Sequence, residues 1–223
     1  GKGKEGKSKV LDIMKELLGK HNHMMGKVQT VFGGDDKFLS AQLVNRYVFM
    51  DDDLTDKPLK DSSMFKDWVT NRDVTVQRKG VDGYQVDQFI RIFCAGNFML
   101  RALDDTSDAW YRRLVQIRVL PRPADRIDNR FLIDELKAEL PGIFNWCMRG
   151  LSDLMKNGME LYTSDETLKL MFEQRRDDDP LLVFLESEDF ITFDPTAQCT
   201  SNDLRLAYNK WASANGYKLF GTQ

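Results

Sequence analysis

Gly1-Lys-Gly-Lys-Glu-Gly6-Lys7-Ser8 decides how the rest of this chain is read, because it fits the phosphate-binding pattern G-x-x-x-x-G-K-[ST] at every position. A nucleoside triphosphate needs several donors aimed at its oxygens together. A glycine-rich turn wraps backbone N–H groups around the β-phosphate because glycine accepts the angles this requires. In that pattern Gly1, Gly3 and Gly6 shape the loop, Lys7 reaches the β- and γ-phosphates, and Ser8 holds Mg2+. Lys9 to Leu18 follows, with Val10, Ile13, Met14, Leu17 and Leu18 on one helical face, and Gly19 stops it. The N-terminus of that helix faces the phosphates. A flexible Gly/Lys tail would share the composition but not the helix phased directly behind Ser8. Such a loop follows a buried β-strand, and no residue precedes Gly1, so we expect a piece of a longer protein in which the first strand of the fold is absent.

A chain of 223 residues holds one large domain, or a larger and a smaller one, with a real core in either case. The net charge of -3 excludes a globally basic nucleic-acid binder, so any DNA contact must come from a local patch. No apolar run approaches the roughly 20 residues of a membrane span and nothing reads as a secretory signal, so a cytoplasmic protein is expected. Cys94, Cys147 and Cys199 are far apart and odd in number, which suggests neither a disulfide framework nor a zinc site. His21 and His23 have no cysteines near them to complete a metal site.

Lys27 to Phe32 alternates and is rich in β-branched residues, predicting a strand closed by Gly33-Gly34-Asp35-Asp36, and a helix from Phe38 to Leu43 comes next. Tyr47-Val-Phe-Met50 then has the form of a buried parallel strand that ends in Asp51-Asp52-Asp53. That C-terminal edge is where α/β sheets bind ligands. Two adjacent acids there divide the work of a phosphate-loop ATPase: Asp51 holds Mg2+ through water and Asp52 orients or deprotonates the attacking water, with Asp53 as a slip of one. Asp51-x-Asp53 also resembles the carboxylate pair of two-metal enzymes, but no further carboxylate or histidine presents itself. Phe65 to Val69 is a short helix. Asp73 to Gln77 and Tyr84 to Val86 form a hairpin around Gly80 and Gly83, with Arg78 and Lys79 near its tip, where cations beside an aromatic suit a nucleic-acid backbone. Phe89 to Ala95 is a buried strand ending in Gly96-Asn97, whose amide can hold the attacking water. Trp110-Tyr-Arg112-Arg113 leads into a last strand through Val119, its two arginines placed to project toward another subunit's nucleotide.

This order of phosphate loop, acidic strand end, lysine-bearing hairpin, strand ending in Asn, and Arg-Arg before a strand resembles the superfamily 3 helicases, an AAA+ class. Asp108-Ala-Trp-Tyr-Arg-Arg-Leu114, Glu139-Leu-Pro-Gly-Ile-Phe-Asn-Trp146 and Gly150-Leu151 are similar to the phage/plasmid primase-helicase family, related to poxvirus helicase-primases. The resemblance implies an α/β AAA+ parallel sheet with flanking helices, a helical lid and a partial winged-helix-like C-terminal segment. It also implies a hexameric ATPase that uses ATP and Mg2+ to translocate on DNA, with a primase domain in the same polypeptide, in a bacterial cell or phage-infected host. By position, Arg113 is the finger acting in trans with Arg112 behind it, and Lys79 is the channel lysine. Where the family often has a further DNA-contacting side chain, this sequence has Gly80. A module that keeps the AAA+ shape and binds DNA without turning over nucleotide is the alternative. An RNA-virus superfamily 3 ATPase is a third reading, disfavoured by the Arg-Arg and Leu-Pro-Gly-Ile segments.

The expected divisions are a helicase core over 1–122, a helical subdomain over 123–178 and the winged-helix-like segment over 179–223. Within the second, Phe131 to Leu140 and Ile143 to Met155 are expected as amphipathic helices separated by Pro141-Gly142, and Asp165 to Arg175 as another, their apolar stripes buried. Asp177-Asp-Asp-Pro180 reads as a linker and Leu181 to Leu185 as a short helix. Thr200 caps a helix from Asn202 to Ala214 whose face is Leu204, Ala207, Tyr208, Trp211 and Ala212, and Gly216 ends it.

Overall fold

The computed structural model describes residues 5–34, 38–121, 123–217 and 219–221. Gly1 and Gly3 of the phosphate loop lie outside them. The chain falls into two compact units, Gly1–Ser164 and Asp165–Gln223.

The first unit is built on three parallel strands, β1 (His23–Met25), β2 (Val48–Leu54) and β5 (Arg91–Gly96), in the order β1-β2-β5. The run Val48-Phe49-Met50 is apolar throughout because β2 is covered on both faces. Val48 and Met50 pack with Leu11 of the first helix, α1 (Lys7–Leu18). Phe49 turns the other way and meets Phe32 of α2 (Val28–Phe32) edge to face at 5.2 Å. Phe32 also meets Phe65 and Trp68 of α3 (Ser63–Thr70), and Phe65 meets Trp110, so aromatic rings fill the core beneath this face. The antiparallel hairpin of β3 (Asp73–Arg78) and β4 (Val81–Asp87) is fastened to the same core by Val74 and Val76 and carries its tip in solvent. After β5 come α4 (Asp108–Tyr111), α5 (Leu132–Ala138) and α6 (Leu140–Lys156).

Several expectations are corrected. Lys27 to Phe32 is not a strand: Val28–Phe32 is a helix, and the strand of this region is the shorter β1 before it. The helix expected over 38–43 is present as a 3-10 helix, Leu39–Leu43. The acids lie in the C-terminal half of β2, as expected, and the strand continues past them to Leu54. Among the described residues no strand follows Arg112-Arg113: one helical turn ends there, and 114–121 is irregular, with Val115, Ile117 and Leu120 exposed. Pro141 and Gly142 do not separate two helices. They lie in the first turn of α6, where proline's missing N–H costs nothing. No residue of α5 or α6 is buried, so their apolar stripes are not core.

The second unit holds α7 (Asp165–Asp178), α8 (Pro180–Leu185) and α9 (Ser201–Asn215). The expected linker at 177–180 is instead the end of α7 and the cap of α8, where Asp179 accepts from the N–H groups of Leu181 and Leu182. Thr200 caps α9 as expected, in a reciprocal box with Asp203, and Gly216 closes it in the left-handed conformation. Phe184, Tyr208, Trp211 and Ala212 form a core of the unit's own, extended by Tyr217 stacked on Trp211 at 4.9 Å. Among the described residues no helix is long and apolar enough to cross a membrane.

Candidate nucleotide-binding site

Gly6 sets up the site. It stands at the N-cap of α1 with φ +96°, a conformation in which a side chain would be strained, and its carbonyl accepts from the N–H of Lys9 at 3.0 Å. That turn projects Lys7 across to the end of β5. There the Lys7 ammonium donates to Asn97 Oδ1 at 3.1 Å and to Glu5 Oε2 at 3.0 Å. A loop lysine and a strand-end amide 90 positions apart therefore share one hydrogen bond. Ser8, in the first turn of α1, is exposed.

Asn97 is positioned by close packing just before it. A Cβ on Gly96 would lie 2.7 Å from both Cβ and the carbonyl oxygen of Leu54, so only glycine lets β5 end this tightly against β2. Leu54 reaches that place through a bulge: Asp51 pairs with Cys94 and Leu54 with Gly96, leaving Asp52 and Asp53 opposite Ala95 alone.

The three acids consequently do different things. Asp51 is fully buried and its oxygens are committed: Oδ2 accepts from the N–H of Val28 at 2.9 Å, and Oδ1 accepts from Lys27 Nζ at 3.2 Å and from the N–H of Asp53 at 3.1 Å. It supplies the acceptor that α2 needs at its N-terminus, where the helix has no side-chain cap of its own. Lys27 also donates to the Asp53 carbonyl at 2.7 Å. Desolvation pulls Lys27 down, but the hydrogen bond and charge of Asp51, with Asp53 and Asp52 behind it, outweigh it and hold the ammonium above its ordinary value. A magnesium bound directly to Asp51 Oδ1 would compete with Lys27 for that oxygen. Asp52 is exposed, and the Asp53 carboxylate lies 3.6 Å from Lys27 Nζ. Ala95 of β5 packs in the cluster of Leu11, Val48 and Met50, two residues before Asn97. A carboxylate and a hydroxyl, Asp52 and Ser8, are the hard oxygen donors that suit magnesium.

Arg113 is turned inward. Its Nε donates to Thr70 Oγ1 at 2.9 Å and its Nη1 to the Ala109 carbonyl, whereas Arg112 is exposed. At the hairpin tip, Lys79 is exposed and the Arg78 guanidinium lies over the Tyr84 ring at 5.8 Å. Two residues of this neighbourhood, Glu5 and Lys27, escape sequence reasoning. Glu5 occupies a position the motif leaves free, and the only sign of Lys27 is a cation a few residues beyond the first helix.

The fold is thus α/β, with a three-stranded parallel sheet flanked by helices and a helical C-terminal region. Residues 1–113 match the model of a family described as "Family of unknown function (DUF5906)", and the chain belongs to that family. No curated protein matches it. Among solved structures it is similar to the A form apo structure of the NrS-1 C-terminal region, at 14% identity and TM-score 0.40, over 61% of this chain and 31% of that one. A second apo structure of the NrS-1 C-terminal region matches at 14% identity and TM-score 0.42, over 64% and 34%. The chain spans about a third of the length of these two structures.

Proposed function

We propose that this chain carries the nucleotide site of an ATP-dependent DNA helicase module of the superfamily 3, phage/plasmid primase-helicase type, working as a ring of identical subunits, a hexamer by family resemblance. The observation that carries the reading is the contact between Lys7 and Asn97, which joins the phosphate-loop cation to the polar strand end. Lys7 binds the β- and γ-phosphates of ATP, and the backbone N–H groups at the start of α1 add donors to the same oxygens. Asn97, beside that lysine, orients the attacking water. The proton of that water passes to the exposed carboxylate of Asp52. Ser8 would hold magnesium, which would supply positive charge against the phosphates. Arg112 is better placed than Arg113 to reach a neighbouring subunit's nucleotide, since Arg113 is engaged by Thr70 and Ala109. Arg78 and Lys79 contact the DNA backbone.

The first test is DNA-stimulated ATP turnover by the full-length protein and by Lys7→Ala. Turnover is expected in the former and only background in the latter; equal turnover in both overturns the reading. The commitment of Asp51 to Lys27 favours a second reading, a DNA-binding or assembly module that does not hydrolyse nucleotide. It requires DNA binding that survives Lys7→Ala, falls on Lys79→Ala and comes without strand displacement.

A further inference from the structure

Glu5 sits inside the phosphate loop, two positions before the lysine it holds. Its Oε2 accepts from Lys7 Nζ at 3.0 Å, and that hydrogen bond holds the Glu5 carboxyl below the usual carboxylate range, so it is ionised at neutral pH. An ammonium has three donors. Two of those on Lys7 are taken, one by an anion and one by Asn97. A phosphate oxygen arriving at Lys7 meets the same cation from the same loop, and a carboxylate left beside it would repel it.

Resting on the nucleotide-site reading above, we propose that Glu5 is an internal anion that occupies the place of a nucleotide phosphate at Lys7, so that its displacement sets the affinity of the site and its preference among phosphate chain lengths. ATP binding is then an exchange at Lys7 in which a carboxylate leaves the ammonium and a phosphate oxygen takes its place. The lysine keeps a charged partner in both states. The cost of the exchange falls on the ligand whose phosphates must reach Lys7, which makes the effect larger for a triphosphate than for a monophosphate.

The test is equilibrium binding of a fluorescent ATP analogue, with ADP and AMP as competitors, to the full-length protein under conditions without turnover. Wild type is compared with Glu5→Gln, Glu5→Asp and Lys7→Ala. Glu5→Gln keeps the length and an acceptor oxygen but removes the charge, and should tighten ATP binding by about 2- to 5-fold, the scale of one screened charge pair, while changing AMP competition little. Glu5→Asp keeps the charge and should stay close to wild type. ATP binding that is saturable and lost in Lys7→Ala, but unchanged or weakened in Glu5→Gln, overturns the proposal and leaves the nucleotide site standing. Absence of saturable ATP binding in wild type and Glu5→Gln alike overturns both.

Discussion

Cys94 shows how much of this site is decided by what surrounds a single residue. It pairs with Asp51 across β2 and β5, and burial, reinforced by the Asp51 charge, pushes its thiol up to about 12. Cys147 and Cys199 are exposed. At pH 8 the native protein should therefore react with a thiol reagent at Cys147 and Cys199 while Cys94 stays protected until denaturant is added; mass mapping of the modified peptides checks this, and rapid native labelling of Cys94 would contradict it. Sequence spacing identifies none of these environments. It does identify Lys7 and Asn97 as candidates, because a motif and a strand end mark them, and it does not say which of three identical acids faces which way. That depends on Lys27 and on the bare N-terminus of α2, both outside the triplet.

At the scale of elements, what was legible followed from chemistry local to the element. Thr200, Asp203 and Gly216 carry the two ends of α9 in their own side chains and backbone. Lys27 to Phe32 misleads because Val28, Val31 and Phe32 satisfy helical spacing as well as their β-branched neighbours satisfy a strand, and the decision is made by Asp51 arriving from β2 to accept the first helical N–H. The segment after Arg113 has strand composition but no strand beside it among the described residues, and pattern alone does not form a ladder. Tertiary capping also governs α3. Asp104 accepts from the N–H and hydroxyl of Ser62, and Asp105 is bound by Lys66 at 2.8 Å and by Ser107, which together lower the Asp105 carboxyl to about 2. A folded-state value below the unfolded one of about 3.9 means the stabilisation is complete above pH 4 and is lost as the pH falls toward 2. The pair is near the surface, so Asp105→Asn should cost on the order of 1 kcal/mol or less at pH 7. Denaturant midpoints of variant and wild type should converge over that acid window, and a gap that is constant with pH would refute the assignment.

Over the whole molecule, burial is unevenly distributed. The core beneath the sheet and the aromatic cluster of Asp165–Gln223 are each closed, whereas α6 has no buried residue and shows Phe144, Trp146, Met148, Leu151 and Met155 to solvent. Apolar exposure on that scale marks a surface that associates. Sedimentation velocity should show concentration-dependent association of the full-length protein at micromolar levels, reduced by Phe144→Asp together with Met155→Lys. A species of constant size in both proteins would go against it.

The bulge in β2 has a consequence for how this sequence tolerates change. Because Asp51, Asp52 and Asp53 are identical, losing either of the last two leaves the same shorter sequence, in which Leu54 still falls opposite Gly96 and the ladder becomes regular. The strand would lose slack rather than order. Charge reversal at Asp51 is the greater hazard for this stretch, since it would leave Lys27 and the N–H of Val28 without their buried acceptor, whereas a one-codon deletion at the bulge removes only an exposed acid.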